Sequence, residues 1–314
     1  MYALSPATAL DFLDAGRPAS WDFFSATNRQ DLIEETGLTR LDFFHAARWT
    51  YHRGSEAPPH PFTLVTEAFD PNAGFYGAAL KVDRPGETDQ IVIAFEGTDP
   101  SSETLRKDPV FLAGQLEADA QIYFGQIPEA FTDALTFTQG VLETAEAQGI
   151  PRENVYVTGH SLGGAEAEYV AAQLDLGGAT FGAPGIHASA VPEGSTPDLI
   201  NYIVHGDPVG NYSADPPNRL SNILYSDDIL HFGEVKYIGS PVGGLQLDAA
   251  NALLAPNRTD AEKLAGLGLL VDAVKYHLIP SYEDALQQLA GADTLVDGLF
   301  ANQSISLVPA DLWA

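Results

Sequence analysis

The stretch that decides the fold is Val155-Tyr156-Val157-Thr158-Gly159-His160-Ser161-Leu162-Gly163-Gly164. An apolar, β-branched run ends abruptly in Gly-His-Ser-Leu-Gly, and a small-residue helical stretch, Leu162 to Leu174, follows at once. This is the G-x-S-x-G pattern in a strand-turn-helix setting. The turn is so tight that side chains at the flanking positions would meet the neighbouring strand and helix, hence the glycines. The serine hydroxyl is pushed out at the top of a sheet, with a helix N-terminus beneath it that favours developing negative charge. The pattern alone is weak in a chain with 29 glycines; its setting gives it weight.

Outward from this junction, apolar strands and amphipathic helices alternate. Asn154 to Thr158 reads as a strand, Ala179-Thr180-Phe181 as another and Leu199 to Val204 as a third. Upstream, Glu129 to Gln148 reads as a helix closed by Gly149. Earlier still come short apolar runs, Phe62 to Val65, Phe75 to Val82 and Ile91 to Phe95, with Arg84-Pro85-Gly86-Glu87 as the turn between the last two. Such alternation predicts an α/β fold with a mostly parallel central sheet and helices on both faces. In such sheets ligands bind beyond the carboxyl ends of the strands. Residues 99–128 lack clean periodicity and are expected to contain a loop or lid. Val110-Phe111-Leu112 and Ile122-Tyr123-Phe124 read equally as oil-binding surface or as core. Residues 21–53 carry apolar side chains at helical spacing, and Ala57-Pro58-Pro59-His60-Pro61 ends that helix. The expected organisation is a single α/β-hydrolase domain over 1–314 with a helical lead-in over about 1–60.

Composition bounds the partners. The 314 residues include 43 acidic and 15 basic ones, a formal net charge of -28. Such a field repels nucleic acid and anionic headgroups but not neutral or zwitterionic lipids. There is no cysteine, which excludes disulfides, thiolate metal sites and a cysteine nucleophile. No stretch reaches the ~18 apolar residues of a membrane span. Met1 to Ser20 lacks a signal-peptide pattern, so export by a route without an N-terminal signal is the expectation, with a cytoplasmic location as the alternative. The acidic turn Ser226-Asp227-Asp228 is a weak pointer to calcium, and no cofactor is expected.

A serine needs an adjacent base, and histidine suits neutral pH. In this fold the chain order runs Ser, then Asp or Glu, then His. Asp207, in His205-Gly206-Asp207-Pro208-Val209, follows the buried run Leu199 to Val204, where an orienting carboxylate belongs; Asp215, Asp227 and Asp228 are lesser candidates. After Asp207 only His231 and His277 remain. His277 lies in Lys275-Tyr276-His277-Leu278-Ile279-Pro280-Ser281-Tyr282, whereas His231, in Ile229-Leu230-His231-Phe232, reads as a strand residue packed in or beside the site. The amide of Leu162, next to the serine, is the first candidate oxyanion donor.

Three segments resemble the class 3 lipase family: Val157 to Gly164, Thr180-Phe181-Gly182-Ala183-Pro184, and Ile91-Val92-Ile93-Ala94-Phe95-Glu96-Gly97-Thr98. The resemblance runs from about residue 74 to 282. It implies an α/β-hydrolase fold and hydrolysis of lipid carboxylic esters through an acyl-enzyme on Ser161. It also implies Thr98 as the second oxyanion donor, Asp207 as the acid, and His277, with a tyrosine five residues on, as the base. Glu96 departs from the family's usual arginine, a change expected to concern an ion pair more than the chemistry. In place of a His-x-Gly-Phe segment there is only Tyr123-Phe124-Gly125. Transient contact with a lipid interface is a further expectation. The alternatives are a polyester depolymerase, an acyltransferase or a catalytically silent binding module.

Overall fold

The computed structural model describes residues 37–84, 89–100, 107–196, 198–213 and 228–301, with side chains to residue 291. The described residues from 39 onward belong to one compact unit, which holds the sheet and is described below.

Its centre is a seven-stranded sheet of β1 (Phe62–Asp70), β2 (Phe75–Val82), β3 (Ile91–Phe95), β4 (Val155–His160), β5 (Gly177–Phe181), β7 (Leu199–Val204) and β9 (Glu234–Ile238), ordered as listed. β1, β2 and β3 pair antiparallel, and every pair from β3 to β9 is parallel. A separate two-stranded ladder joins β6 (Ile186–His187) to β8 (Ile229–Leu230). The fold class is therefore α/β with a mostly parallel central sheet.

Why these runs are central strands follows from their composition. β3, β4 and β7 are buried at every position, as strands covered on both faces must be, so they read as unbroken apolar runs. The period of two is still present: Ile91, Ile93, Phe95, Val155 and Val157 share one core with Phe131, Ala134, Leu162 and Val170. Those partners come from α3 (Glu129–Ala147) and α4 (Leu162–Leu174). On the opposite face lies α1 (Arg40–Thr50), whose Phe43 meets Tyr156 edge-on and whose Phe44 meets Phe181 in the same way. α1 starts cleanly because Thr39 and Asp42 form a reciprocal capping box.

The run expected to contain a loop or lid holds α2 (Pro109–Tyr123). Its apolar residues do not form one stripe: Phe111, Leu112 and Ile122 are core, while Val110 and Phe124 are exposed. Each candidate lid triplet is thus split between core and solvent. β1 extends to Asp70 rather than ending at Val65; it is an edge strand with few buried positions, so little apolar pattern marks its second half. The turn at 85–88 and the lead-in before residue 37 lie outside the described residues. α5 (Val242–Leu253) and α6 (Asp260–Ala273) lead through the 3-10 turn Val274–His277 to α7 (Ile279–Ala301). Among the described residues no helix is long and apolar enough to cross a membrane.

Candidate active site

The elbow between β4 and α4 is built by steric exclusion. Ser161 has φ 59° and ψ -128°, a strained region for a residue with a Cβ. A Cβ on Gly159 would lie 2.1 Å from the Gly163 carbonyl oxygen, and one on Gly163 would lie 2.3 Å from that of Phe95. Only glycine permits both approaches. The Ser161 amide donates to Phe181 O at 3.0 Å, which ties the elbow to β5.

The hydroxyl reaches a line of polar groups from distant parts of the chain. Ser161 Oγ is 2.8 Å from His277 Nε2, and His277 Nδ1 is 3.0 Å from Asp207 Oδ2. Of the residues singled out in the sequence, Ser161, Asp207 and His277 are therefore brought within hydrogen-bond reach of one another. Asp207 is fully buried. Its Oδ2 also accepts from the Tyr282 hydroxyl at 2.5 Å, and its Oδ1 accepts from the Val209 amide at 2.8 Å. Burial would raise this carboxyl, but the His277 ring and the Tyr282 and backbone donors outweigh it and hold it below its ordinary value. Tyr282 in turn accepts from the Val204 amide at 3.2 Å, so the last residue of β7 and the first turns of α7 are joined at Asp207.

His231 lies elsewhere in the network. It follows β8 directly and is buried, with Nδ1 3.1 Å from Glu168 Oε1 and Nε2 donating to Gly210 O at 2.9 Å. Both ring nitrogens are engaged, and the ring braces the loop after β7 against α4. Asp228 has an exposed side chain. Asp215 and Asp227, and with them most of the acidic turn at 226–228, lie outside the described residues.

The loop after β3 is pinned by α2. A Cβ on Gly97 would lie 2.2 Å from His160 O and 3.1 Å from Ser161 Cβ, so the Gly97-Thr98 segment passes directly over the elbow. Leu162 is the first residue of α4, where an amide has no acceptor within its own helix. Gln115, wholly buried, donates to Gly97 O at 2.8 Å and accepts from the Asp99 amide at 3.2 Å. One turn on, Asp119 Oδ2 accepts from the Thr98 hydroxyl at 2.7 Å. The Thr98 hydroxyl is thus turned toward α2. Burial raises the Asp119 carboxyl, and the Thr98 hydrogen bond opposes that shift.

Glu96 is paired with Arg53, Nε to Oε2 at 2.6 Å, and the guanidinium lies 4.5 to 4.6 Å from the ring centroids of Phe69, Tyr76 and Phe111. The positive charge comes from the segment after α1 instead of from the strand. Burial pushes Glu96 up to about 7, against the pull of Arg53.

Sequence reasoning missed Gln115 and Asp119, although their i, i+4 spacing on a helix after a Gly-Thr loop was available as a signal. It also passed over Tyr51 and His160, which touch the elbow.

No curated protein sequence matches this chain. Among solved structures, it is similar to extracellular lipase LipA from Serratia marcescens at 22% identity, over 52% of this chain and only 27% of that one, with TM-score 0.36. Lipase II from Rhizopus niveus matches at 19% identity over 69% of this chain and 83% of that one, with TM-score 0.40. A triacylglycerol lipase from Penicillium expansum matches at 16% identity over 66% and 80%, with TM-score 0.39. Residues 92–215, from β3 through the elbow to just past Asp207, match the model of the family described as lipase (class 3).

Proposed function

We propose that the protein hydrolyses carboxylic esters of lipids through an acyl-enzyme on Ser161. The observation that carries this reading is the unbroken line from Ser161 Oγ to His277 and from His277 to Asp207, at 2.8 and 3.0 Å, starting from a serine on a positive-φ elbow.

In acylation, His277 Nε2 takes the Ser161 proton as Oγ attacks the ester carbonyl carbon. The amides of Thr98 and Leu162 are the donors assigned to the resulting oxyanion. The intermediate collapses as the C–O bond to the alcohol breaks, and the imidazolium returns its proton to the leaving oxygen. Water then repeats the sequence on the acyl-enzyme and frees the acid. Asp207 keeps the His277 proton on Nδ1, so that Nε2 faces the serine with its lone pair. The acidity of the chain, net -28, favours uncharged or zwitterionic lipid esters over anionic ones.

The test is turnover of p-nitrophenyl butyrate and of emulsified triacylglycerol. A product burst is expected from the wild type, with loss of at least about 10⁴-fold in kcat in Ser161→Ala. Undiminished turnover in that variant would remove Ser161 from the chemistry.

A further inference from the structure

The residue between the glycine and the serine of the elbow, His160, is not the base in this reading, yet it touches His277 through both its ring face and its Nε2. Its ring is buried and stacks on that of His277, with centroids 4.8 Å apart and planes 28° from parallel. Its Nε2 lies 2.8 Å from the backbone oxygen of His277. A carbonyl only accepts, so the proton must be on Nε2. The Nδ1 atom lies 2.8 Å from the Tyr51 hydroxyl. Burial and the neighbouring His277 push His160 down to about 3, so the ring is neutral and Nδ1 is bare. The phenol of Tyr51 is held well above its usual range, by burial first and by nearby carboxylates second, so it keeps its proton and donates it. Tyr282 meets the free edge of the same ring at 5.4 Å and 76°.

We infer that Tyr51 and His160 form a positioning relay for the general base: the Tyr51 hydroxyl fixes the His160 tautomer, and that tautomer anchors the His277 backbone while its ring face limits rotation of the His277 imidazole. The inference rests on the hydrolase reading above, for which His277 must meet Ser161. The other tautomer would set a nitrogen lone pair against the His277 carbonyl at 2.8 Å, a repulsive contact with an unsatisfied buried acceptor. Asp207 bonds the side chain of His277; the relay holds its main chain, where Val274–His277 gives way to α7. Neither Tyr51 nor His160 touches the reacting atoms in this scheme. Their effect is on how often the imidazole stands in line with Oγ, and a misplacement of about 1 Å can cost about 100-fold in rate.

The relay also explains what α1 contributes. That helix is capped by Thr39 and Asp42, packs Phe43 and Phe44 on the sheet, and ends by delivering Tyr51 to the underside of the elbow.

Two readouts on the full chain test the relay. The first needs no turnover: nitrogen NMR of labelled imidazoles is expected to show His160 neutral and protonated on Nε2 from pH 5 to pH 8, and to show tautomer exchange in Tyr51→Phe. A His160 protonated on Nδ1, or a tautomer unchanged by Tyr51→Phe, would overturn the relay even if the protein proved not to be an esterase. The second is steady-state kinetics with p-nitrophenyl butyrate, with Ser161→Ala as the check on the hydrolase reading itself. His160→Phe keeps a stacking ring and loses the donor, and is expected to lower kcat by about 10- to 100-fold with KM unchanged. His160→Gln restores an N–H near the Nε2 position and should recover to within about fivefold of wild type. Tyr51→Phe, the mildest change, should lower kcat about tenfold. Wild-type kcat in both His160→Phe and Tyr51→Phe, or equal losses in His160→Phe and His160→Gln, would refute it.

Discussion

The two halves of the candidate site are held by different forces. The elbow is held by contact: Gly159, Gly163 and the β4–α4 junction leave no room for a Cβ, and backbone atoms of β3 and α4 fix the position of Ser161. Asp207 and His277 are held by hydrogen bonds instead, since Asp207 takes three donors and His277 is met by His160 from β4 and by Asp207 from the loop after β7. Close packing fails abruptly when one methyl is added, because interiors tolerate little extra volume. A hydrogen-bonded assembly loses one donor at a time and degrades in steps. The same active site should therefore contain an all-or-none half and a graded half.

The largest expected effect tests the hydrogen-bonded half at its root. Asp207→Asn keeps the shape but offers a donor to His277 Nδ1, which forces the wrong tautomer; kcat is expected to fall about 10⁴-fold. Steady-state kinetics decide this, and a loss under tenfold would mean that another group orients the base. On the packing half, Gly163→Ala drives a methyl into the Phe95 carbonyl. Denaturant melts should then show a loss of about 3 kcal/mol or more. A cost below about 1 kcal/mol would mean that the elbow relaxes freely and that the contrast between the halves is false.

Glu96 sharpens the comparison at the border between the two. With its proton held to about pH 7 in the folded protein and released near 4.5 in the unfolded chain, the folded state binds more protons between those values, so stability falls as pH rises through that window. The fall due to this one carboxyl is of the order of 3 kcal/mol. Glu96→Gln lacks it, and the gap between wild-type and variant melts should change across pH 4.5 to 7 and be flat above. Parallel profiles would mean that Arg53 keeps Glu96 ionised throughout. The smallest effect is expected from Tyr282→Phe. It removes one of three donors to Asp207, and a loss of about tenfold in kcat with KM unchanged is the expectation; a loss as large as that of Asp207→Asn would make the acid half as brittle as the elbow.

How much of this was legible in the chain varies with the force involved. The parallel core announced itself, because strands buried on both faces must be apolar throughout and the elbow demands glycine at fixed offsets. Asp207 and His277 were singled out by chain order and by the likeness of their loops to the class 3 lipase family, and the fold brings both into one hydrogen-bonded line with Ser161. Sequence was silent over β9, α5 and α6. Val242 and Leu245 on α5 and Leu264, Leu267 and Val271 on α6 are exposed, so apolar residues on the outer faces blur the stripe that marks a helix. α2 was hidden for the same reason, and with it Gln115 and Asp119.

Local sequence by itself determined that a serine would stand on a strained turn between a buried strand and a helix, because that geometry depends on neighbours within a few residues. Only the tertiary structure decided which groups surround it. Thr98 Oγ1 met Asp119 rather than facing the site, His231 went to Glu168, and Tyr51 arrived from more than a hundred residues upstream to meet His160. Hydrogen bonds between segments far apart in the chain carry no spacing rule: they depend on where the sheet order and helix packing bring each side chain, and that is a property of the whole fold.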